Sequence, residues 1–381
     1  MSTRLIGRAI RLVLAAAAML TLSGCWDEVD LQEVGYVTAL GIDYVDGKYE
    51  LYGEMIGFNT VAKTEGVQPA EGANTWTGRA EGKTLLVAFQ QLMRSTQYQL
   101  SLDHLKSLVI NERAIGMLDE VLDGLNRQRA SRYTVWVFGT KEPFDKLFGA
   151  DTIFNRSPLV SVLYSPKLIF EQDSSYLPLN MQMFIQQLDE PSYTTILPNI
   201  STNNVAWKQQ QKSLNLYQLN GVYTFKNRHF NSYIEDTAIN GLRWIQPKFS
   251  HSIVGFQVGD GRVSISVDKV KWKIKDGGGN PRRFRVELAL RIHTIEIEGN
   301  HTSKEIEAAT NQFVKNEVKK TFLAGLEKKA DLLQLRLHLY RYHNAYWKKY
   351  ASDDNWLPGA DDVTIEVRSV LKNSGKYDLR D

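Results

Sequence analysis

The chain has 381 residues, 43% hydrophobic and 23% charged. That composition excludes disordered and collagen-like chains and is more than one core usually organises, so two or three domains are expected. Lysine and arginine total 46 against 43 acidic residues, but Arg4, Arg8 and Arg11 fall in a segment with the marks of a removed leader, and without them the two signs balance at 43. A balanced mature chain lacks the basic excess that releases counterions from phosphates, so no nucleic-acid partner is expected.

Residues 1–11 carry three arginines and no acid, and Leu12 to Leu22 is an apolar run; together they have the form of an export signal. As a helix the run reaches only about 16 Å, against roughly 30 Å of hydrocarbon, so it is no stable span. Leu22-Ser23-Gly24-Cys25 then fits a bacterial lipobox: an aliphatic residue, two small residues for the peptidase, and a thiol to take the diacylglyceryl group. Residues 1–24 are therefore read as a cleaved signal peptide and Cys25 as the lipidation site. Cys25 is the only cysteine, so the mature chain forms no internal disulfide. Two acyl chains hold a protein on a membrane where one does not, and with no later run of 18 apolar residues the rest of the chain is expected outside the bilayer.

Along the mature chain, the run from Val34 to Ile42 and the alternation from Lys48 to Ile56 flank Asp46-Gly47, a strong hairpin signal. In the second strand Tyr49, Leu51 and Met55 share one face and Lys48, Glu50 and Glu54 the other. Residues 59–82 lose periodicity and read as a long exposed loop. Helical spacing follows over 83–93, a strand over 104–110, a helix over 113–125, a strand over 132–138 and a helix over 176–188, before Glu190-Pro191 and Leu197-Pro198 break the pattern and suggest a boundary near 195–210. A strand over 213–225, a turn at 226–228 and a short helix over 235–242 come next.

The C-terminal part is richer in signals. Val263, Ile265 and Val267 keep odd parity while Val270, Trp272 and Ile274 keep even parity, which requires an extra residue near Asp268-Lys269. The switch from Phe284–Ile292 to Ile295 and Ile297 places a second bulge near His293-Thr294. Residues 276–281 make the connecting loop. Thr302 and Glu305 have capping-box spacing before a long helix. A second helix from Asp331 to about Tyr350 steps through Leu332, Leu335, Leu339, Tyr342 and Tyr346, and 362–371 alternates as a strand. This ββααβ outline is an α+β arrangement with mostly antiparallel strands.

Chemistry is sparse. Gly78 to Thr84 is similar to a phosphate loop but has three residues between its glycines where four are needed. No histidine pair has the i, i+4 spacing of two ligands on one helical face, and His338 and His343, five apart, point differently, so no metal or cofactor site is expected. No Gly-x-Ser-x-Gly elbow occurs, and Asp353-Asp354 and Asp361-Asp362 read as solvated or capping acids. Arg336, Arg341, Lys348 and Lys349 interleave with Tyr340, Tyr342, Tyr346 and Trp347. That pattern suits either a surface-binding helix or, as favoured here, a core helix whose long side chains reach water.

In order along the chain, these landmarks resemble the Ger(x)C lipoproteins, the C subunits of spore germinant receptors. The resemblance rests on Gly24-Cys25-Trp26-Asp27, Val37 to Asp43 with Gly41, the Asp46-Gly47 hairpin, Glu81-Gly82-Lys83-Thr84-Leu85, and His104-Leu105-Lys106. It continues through Leu219-Asn220-Gly221 with Phe225, Gly241-Leu242 with Trp244, Lys329-Ala330-Asp331, and Trp347 and Trp356. The chain departs from the family at Leu332-Leu333-Gln334-Leu335 and at Val222-Tyr223-Thr224. The resemblance implies an α+β protein of three mixed α/β domains, with central, largely antiparallel sheets flanked by helices, behind a cleaved lipoprotein signal peptide. The corresponding division is 25–200, 201–258 and 259–381. It further implies a non-enzymatic subunit without catalytic residues, tethered through Cys25 to the outer face of the spore inner membrane beside the A and B subunits. Trp26, Asp27, Gly41, Asp43, Gly82, Gly221, Gly241 and Trp356 then count as structural signature positions, the glycines as turns or close approaches and Trp244 and Trp356 as core anchors. The alternative is a solute-binding lipoprotein that captures a small nutrient for a permease.

Overall fold

The computed structural model describes residue 7 and residues 34–57, 75–127 and 133–373. The rest of the expected leader, Cys25, Trp26 and Asp27, and residues 59–74 of the expected loop lie outside the described residues.

Strands β1 (Val34–Val45) and β2 (Lys48–Ile56) form the expected hairpin, with Val45 opposite Lys48. Asp46 and Gly47 both take positive φ, 49° and 78°, the primed-turn geometry that matches strand twist. The loop expected to run to Gly82 ends earlier, because Thr75–Gly82 is a strand, β3, paired antiparallel with β2. Its mostly polar residues lie on a sheet edge, which is why no hydrophobic alternation marks it. The phosphate-loop-like residues 78–82 are thus part of a strand.

Helix α1 (Leu85–Arg94) is capped by Thr84, whose Oγ1 accepts from Val87 N at 3.3 Å. Then come β4 (Gln99–Ser101), β5 (Ser107–Asn111), α2 (Glu112–Ile115), α3 (Leu118–Asn126) and β6 (Trp136–Thr140). The single helix expected over 113–125 is broken at Gly116-Met117. Next are α4 (Phe144–Phe148), α5 (Pro166–Gln172) and α6 (Met181–Asp189), the last starting at its cap Asn180 rather than at Tyr176. Strands β7 (Thr194–Asn203), β8 (Lys208–Gln209), β9 (Lys212–Ser213), β10 (Leu216–Lys226) and β11 (His229–Ile234) follow. Two 3-10 turns, Asp236–Ala238 and Asn240–Trp244, replace the short helix.

These strands build a nine-stranded sheet in the order β11-β10-β7-β6-β5-β1-β2-β3, with β4 beside β1; β8 and β9 form a separate ribbon. The pairs from β1 through β5 and β6 to β7 are parallel, and those toward both ends are antiparallel. The sheet runs across the boundary expected near residue 200, since β10 and β11 hydrogen-bond into it. Both faces are covered. Leu40, Ile42, Leu51 and Leu108 pack with residues of α1, α3 and α6, while Ala39, Tyr52, Val109 and Phe138 pack under α4 and residues 162–164. Burial on both sides explains why β1 reads as a continuous apolar run.

The second sheet, β12-β13-β14-β15, comprises β12 (Ser252–Val258), β13 (Gly261–Gly277), β14 (Asn280–Ile297) and β15 (Val363–Asn373). Its first two pairings are antiparallel and β15 runs parallel to β14. Between β14 and β15 lie α7 (Ser303–Glu327), α8 (Leu335–Tyr342), α9 (Asn344–Tyr346) and a π turn at Trp347–Ala351, in place of one long second helix. The capping box forms, with Thr302 N donating to Glu305 Oε2 at 2.8 Å and Glu305 N to Thr302 Oγ1 at 3.2 Å. The register skips Asp268, as parity requires. The second bulge falls at Ile295, not His293-Thr294: Thr294 keeps the buried parity and Ile295 turns out to 43% exposure.

Candidate functional site

The signature positions sort into two groups. Gly41 lies mid-strand, where a Cβ would sit 2.4 Å from the Phe144 ring, so α4 can lie flat on the sheet only over glycine. Asp43 is buried; its carboxylate accepts from Arg113 Nε at 2.9 Å and from Tyr44 N at 2.8 Å, tying β1 to α2. Gly82 lets α1 begin directly against β3, a Cβ there meeting Ala88 N at 2.4 Å. These three hold the N-terminal sheet to its helices.

The second group forms a joint between the sheets. In β10 the register shifts between Leu219 and Val222, leaving Asn220 and Gly221 as a bulge. Gly221 takes φ +86°, a conformation few other residues adopt, and a Cβ there would meet Tyr233 Oη at 2.5 Å. Asn220 gathers the bonds of the bulge: its carbonyl accepts from Tyr233 at 3.0 Å and its side-chain oxygen from Asn199 and Ser201, each at 2.7 Å. Gly221 N donates to Tyr176 Oη at 2.8 Å, and Tyr176 in turn donates to Asp236 in the first 3-10 turn. In the second turn Gly241 N donates to Thr321 Oγ1 of α7 at 2.9 Å, and Thr321 Oγ1 donates to the Ala238 carbonyl at 3.0 Å. A Cβ on Gly241 would lie 2.5 Å from the Glu317 carbonyl oxygen, so the turn meets the helix backbone to backbone. Trp244 is fully buried beside it and donates Nε1–H to Glu317 Oε2 at 2.7 Å. Burial pushes the Glu317 carboxyl up, against the pull of that hydrogen bond.

Further ties flank the joint. Arg336, only 6% exposed, donates to the carbonyls of Ala351 and Ser352 at 2.9 and 2.8 Å and to Asp354 at 2.7 Å. Asp354 also accepts from Asn227 in the β10–β11 turn. Arg341 reaches Glu190 at 2.8 Å, and Gln334 brackets Thr194 through both its amide groups, at 3.0 and 2.7 Å. The basic and aromatic residues of 331–350 thus divide: Arg336 and Arg341 bind neighbouring segments, while Lys348, Lys349 and Tyr350 are exposed. Asp353 and Asp362 act as turn caps, accepting from Asn355 N and Gly359 N at 2.9 and 2.8 Å. Trp356 is half-buried, its ring edge-on to Phe284 at 6.3 Å.

A cleft of about 640 Å³ opens beside the joint, between residues 151–176, β10 and the 3-10 turns. Phe154, Val160 and Ile169 give it apolar walls, 87%, 58% and 43% exposed. Several of its polar groups are engaged by residues behind its walls: Asp151 accepts from Asn215 N at 2.8 Å, Arg243 donates to Ser252 at 3.1 Å, and Ser252 donates to Asp173 at 3.0 Å. Tyr217 lines the cleft; burial, and after it the charge of Glu54 on β2, pushes its phenol well above the ordinary tyrosine range. Glu54, placed by alternation on the polar face, is 1% exposed: residues 144–164 cover that face, and its carboxylate accepts from Tyr164 at 2.8 Å. Burial raises its pKa to about 7. Among the described residues these groups form no nucleophile–base pair of the hydrolase kind.

Two family models cover most of the chain in order: "Spore germination protein N-terminal domain" matches residues 27–202, and "Spore germination B3/ GerAC like, C-terminal" matches residues 220–375. The chain belongs to the Ger(x)C family of spore germination proteins. Spore germination protein KC of Bacillus subtilis (strain 168) is 22% identical over 396 residues, covering 97% of both chains. The crystal structure of the GerBC protein matches with a TM-score of 0.53 at 14% identity, over 87% of this chain and 96% of that one, and so shares the mixed α/β fold with helices flanking its sheets. Within the Ger(x)C chain the second matched stretch starts at Asn220, the centre of the bulge. Leu219-Asn220-Gly221 and Gly241 with Trp244, separate motifs in sequence, meet at one structural joint. Their partners Tyr176, Glu317 and Thr321 carry no sequence signal, because nothing local marks a side chain that reaches across 45 or 80 positions.

Proposed function

We propose that this Ger(x)C chain is a non-enzymatic, lipid-anchored subunit of a spore germinant receptor, held through Cys25 on the outer face of the spore inner membrane and acting through contacts with A and B membrane subunits. The observation that carries the reading is the ordered match of both family domains, beginning just after Cys25. The lipobox supports the anchor, and among the described residues no helix is long and apolar enough to cross a membrane. A joint built from side chain–backbone bonds and close backbone contact supports a scaffold rather than a catalyst. Replacing Cys25 by alanine tests it: the chain should leave the membrane fraction, and germination by the cognate nutrient should fall sharply at normal protein level. Unchanged germination with the protein in the soluble fraction would refute the anchored subunit. Affinity capture from spore membranes should bring down a polytopic and a membrane-attached partner together.

A second reading, capture of a small solute, rests on the cleft beside the joint, whose volume falls in the range of ligand sites. Calorimetric titration with amino acids and sugars separates the two: saturable micromolar heat abolished by Tyr217→Ala supports capture, and its absence leaves the cleft to the scaffold.

A further inference from the structure

On a continuous helix His338 and His343 would point apart, because five positions separate directions by about 140°. The structure corrects this. Helix α8 ends at His343, whose φ of −133° and ψ of 49° leave the helical path and swing the second imidazole back toward the first. The two rings lie 5.7 Å apart between centroids. Both face Asp276, near the tip of the β13–β14 hairpin: His343 Nε2 is 2.8 Å and His338 Nε2 3.6 Å from Asp276 Oδ1. The three donor atoms all lie within 4.8 Å of one another.

Hydrogen bonding does not account for the arrangement. Asp276 Oδ1 and His338 Nε2 are both shut off from solvent, and neither has a hydrogen-bond partner. The short approach of His343 therefore lacks hydrogen-bond alignment. Leaving a buried imidazole nitrogen and a buried carboxylate oxygen unsatisfied is costly, unless a cation takes both lone pairs. Four-coordinate zinc with bonds of about 2.0–2.2 Å separates its ligand atoms by about 3.3 Å, and the observed 2.8 and 3.6 Å bracket that spacing. Phe284 and Tyr342 pack against the His338 ring, at 6.4 and 5.0 Å, and give the site an apolar side.

We propose that Asp276, His338 and His343 bind one divalent transition-metal ion of the zinc class, with water completing its coordination. Two imidazoles and one carboxylate suit that class, whereas calcium and magnesium take oxygen ligands. The ion would clip the glycine-rich hairpin tip to α8, whose capping residue Gln334 holds Thr194 of β7 and whose Arg341 holds Glu190 at the end of α6. The site is independent of whether the chain is a receptor subunit.

The test uses the purified full chain, stripped with chelator and titrated calorimetrically with Zn²⁺ alone. One ion per chain is expected at micromolar or tighter affinity, weakened at least about tenfold by His343→Gln and by Asp276→Asn. Co²⁺ loaded in its place should show visible bands that both variants lose. Zn²⁺ should raise the melting temperature of the parent chain and not of His343→Gln. Because His343 is only half-buried, that variant is expected to match the parent in chelator, and that melting comparison separates lost binding from lost fold. Absence of Zn²⁺ binding, equal binding by parent and variants, or a preference for Ca²⁺ would overturn the proposal.

Discussion

The two sheets solve the same burial problem differently. The nine-stranded sheet is covered on both faces, so its strands carry apolar side chains in both directions and even its acids, Glu54 above all, are enclosed. The four-stranded sheet hides one face under α7 and α8 and leaves the other to water, where charges pair across strands: Lys275 with Glu287 at 2.8 Å, Arg291 with Asp268 at 2.7 Å. The difference teaches where energy is concentrated. A substitution on the open face meets solvent, whereas one on either face of the larger sheet, or at the joint, meets packed atoms.

The strongest test of that contrast is Trp244→Ala. It empties a fully buried site and strands the Glu317 carboxylate, and should cost about 3–5 kcal/mol in denaturant unfolding. A loss near zero would mean that the joint contributes nothing to the fold. Next is pH. Glu54 has a folded pKa of about 7 against the ordinary 4.5, so between those values the native state holds a proton the unfolded state has lost. Its contribution is therefore most favourable below pH 4.5 and declines as pH rises through 7, by on the order of 3 kcal/mol. Urea midpoints taken from pH 5 to 8 should fall in the parent and stay flatter in Glu54→Gln; equal slopes would place the carboxylate in water. Gly41→Ala should cost about 1–3 kcal/mol by forcing Phe144 off the sheet, read as a lowered melting temperature. Glu287→Ala, on the open face, should leave the midpoint where it is; a large drop would erase the distinction between the sheets.

The same contrast decides what sequence can reveal. The one-faced sheet alternates cleanly, so its bulge at Asp268 follows from parity alone, and the second is displaced only to Ile295 because Thr294 is small enough to keep the buried register. The two-faced sheet announces strands but not their order, and it hides Glu54 because alternation tells apolar from polar and not covered from open. The polar edge strand Thr75–Gly82 gives no periodic signal at all. Gly41, Gly221 and Gly241 stand out as motifs, yet what presses on each, a ring, a hydroxyl and a helix backbone, depends on elements far along the chain. The convergence of Asp276, His338 and His343 is illegible for the same reason: it depends on where α8 stops.

The contact at Gly241 has a mechanical consequence. With no side chain between the turn and α7, there is no rotamer to absorb a shift, and sliding the helix along its axis would drive the Glu317 carbonyl into the turn. The contact therefore opposes sliding of α7 past the turn that follows the last strand of the first sheet, and it does so through backbone atoms rather than through a side chain that could rotate away.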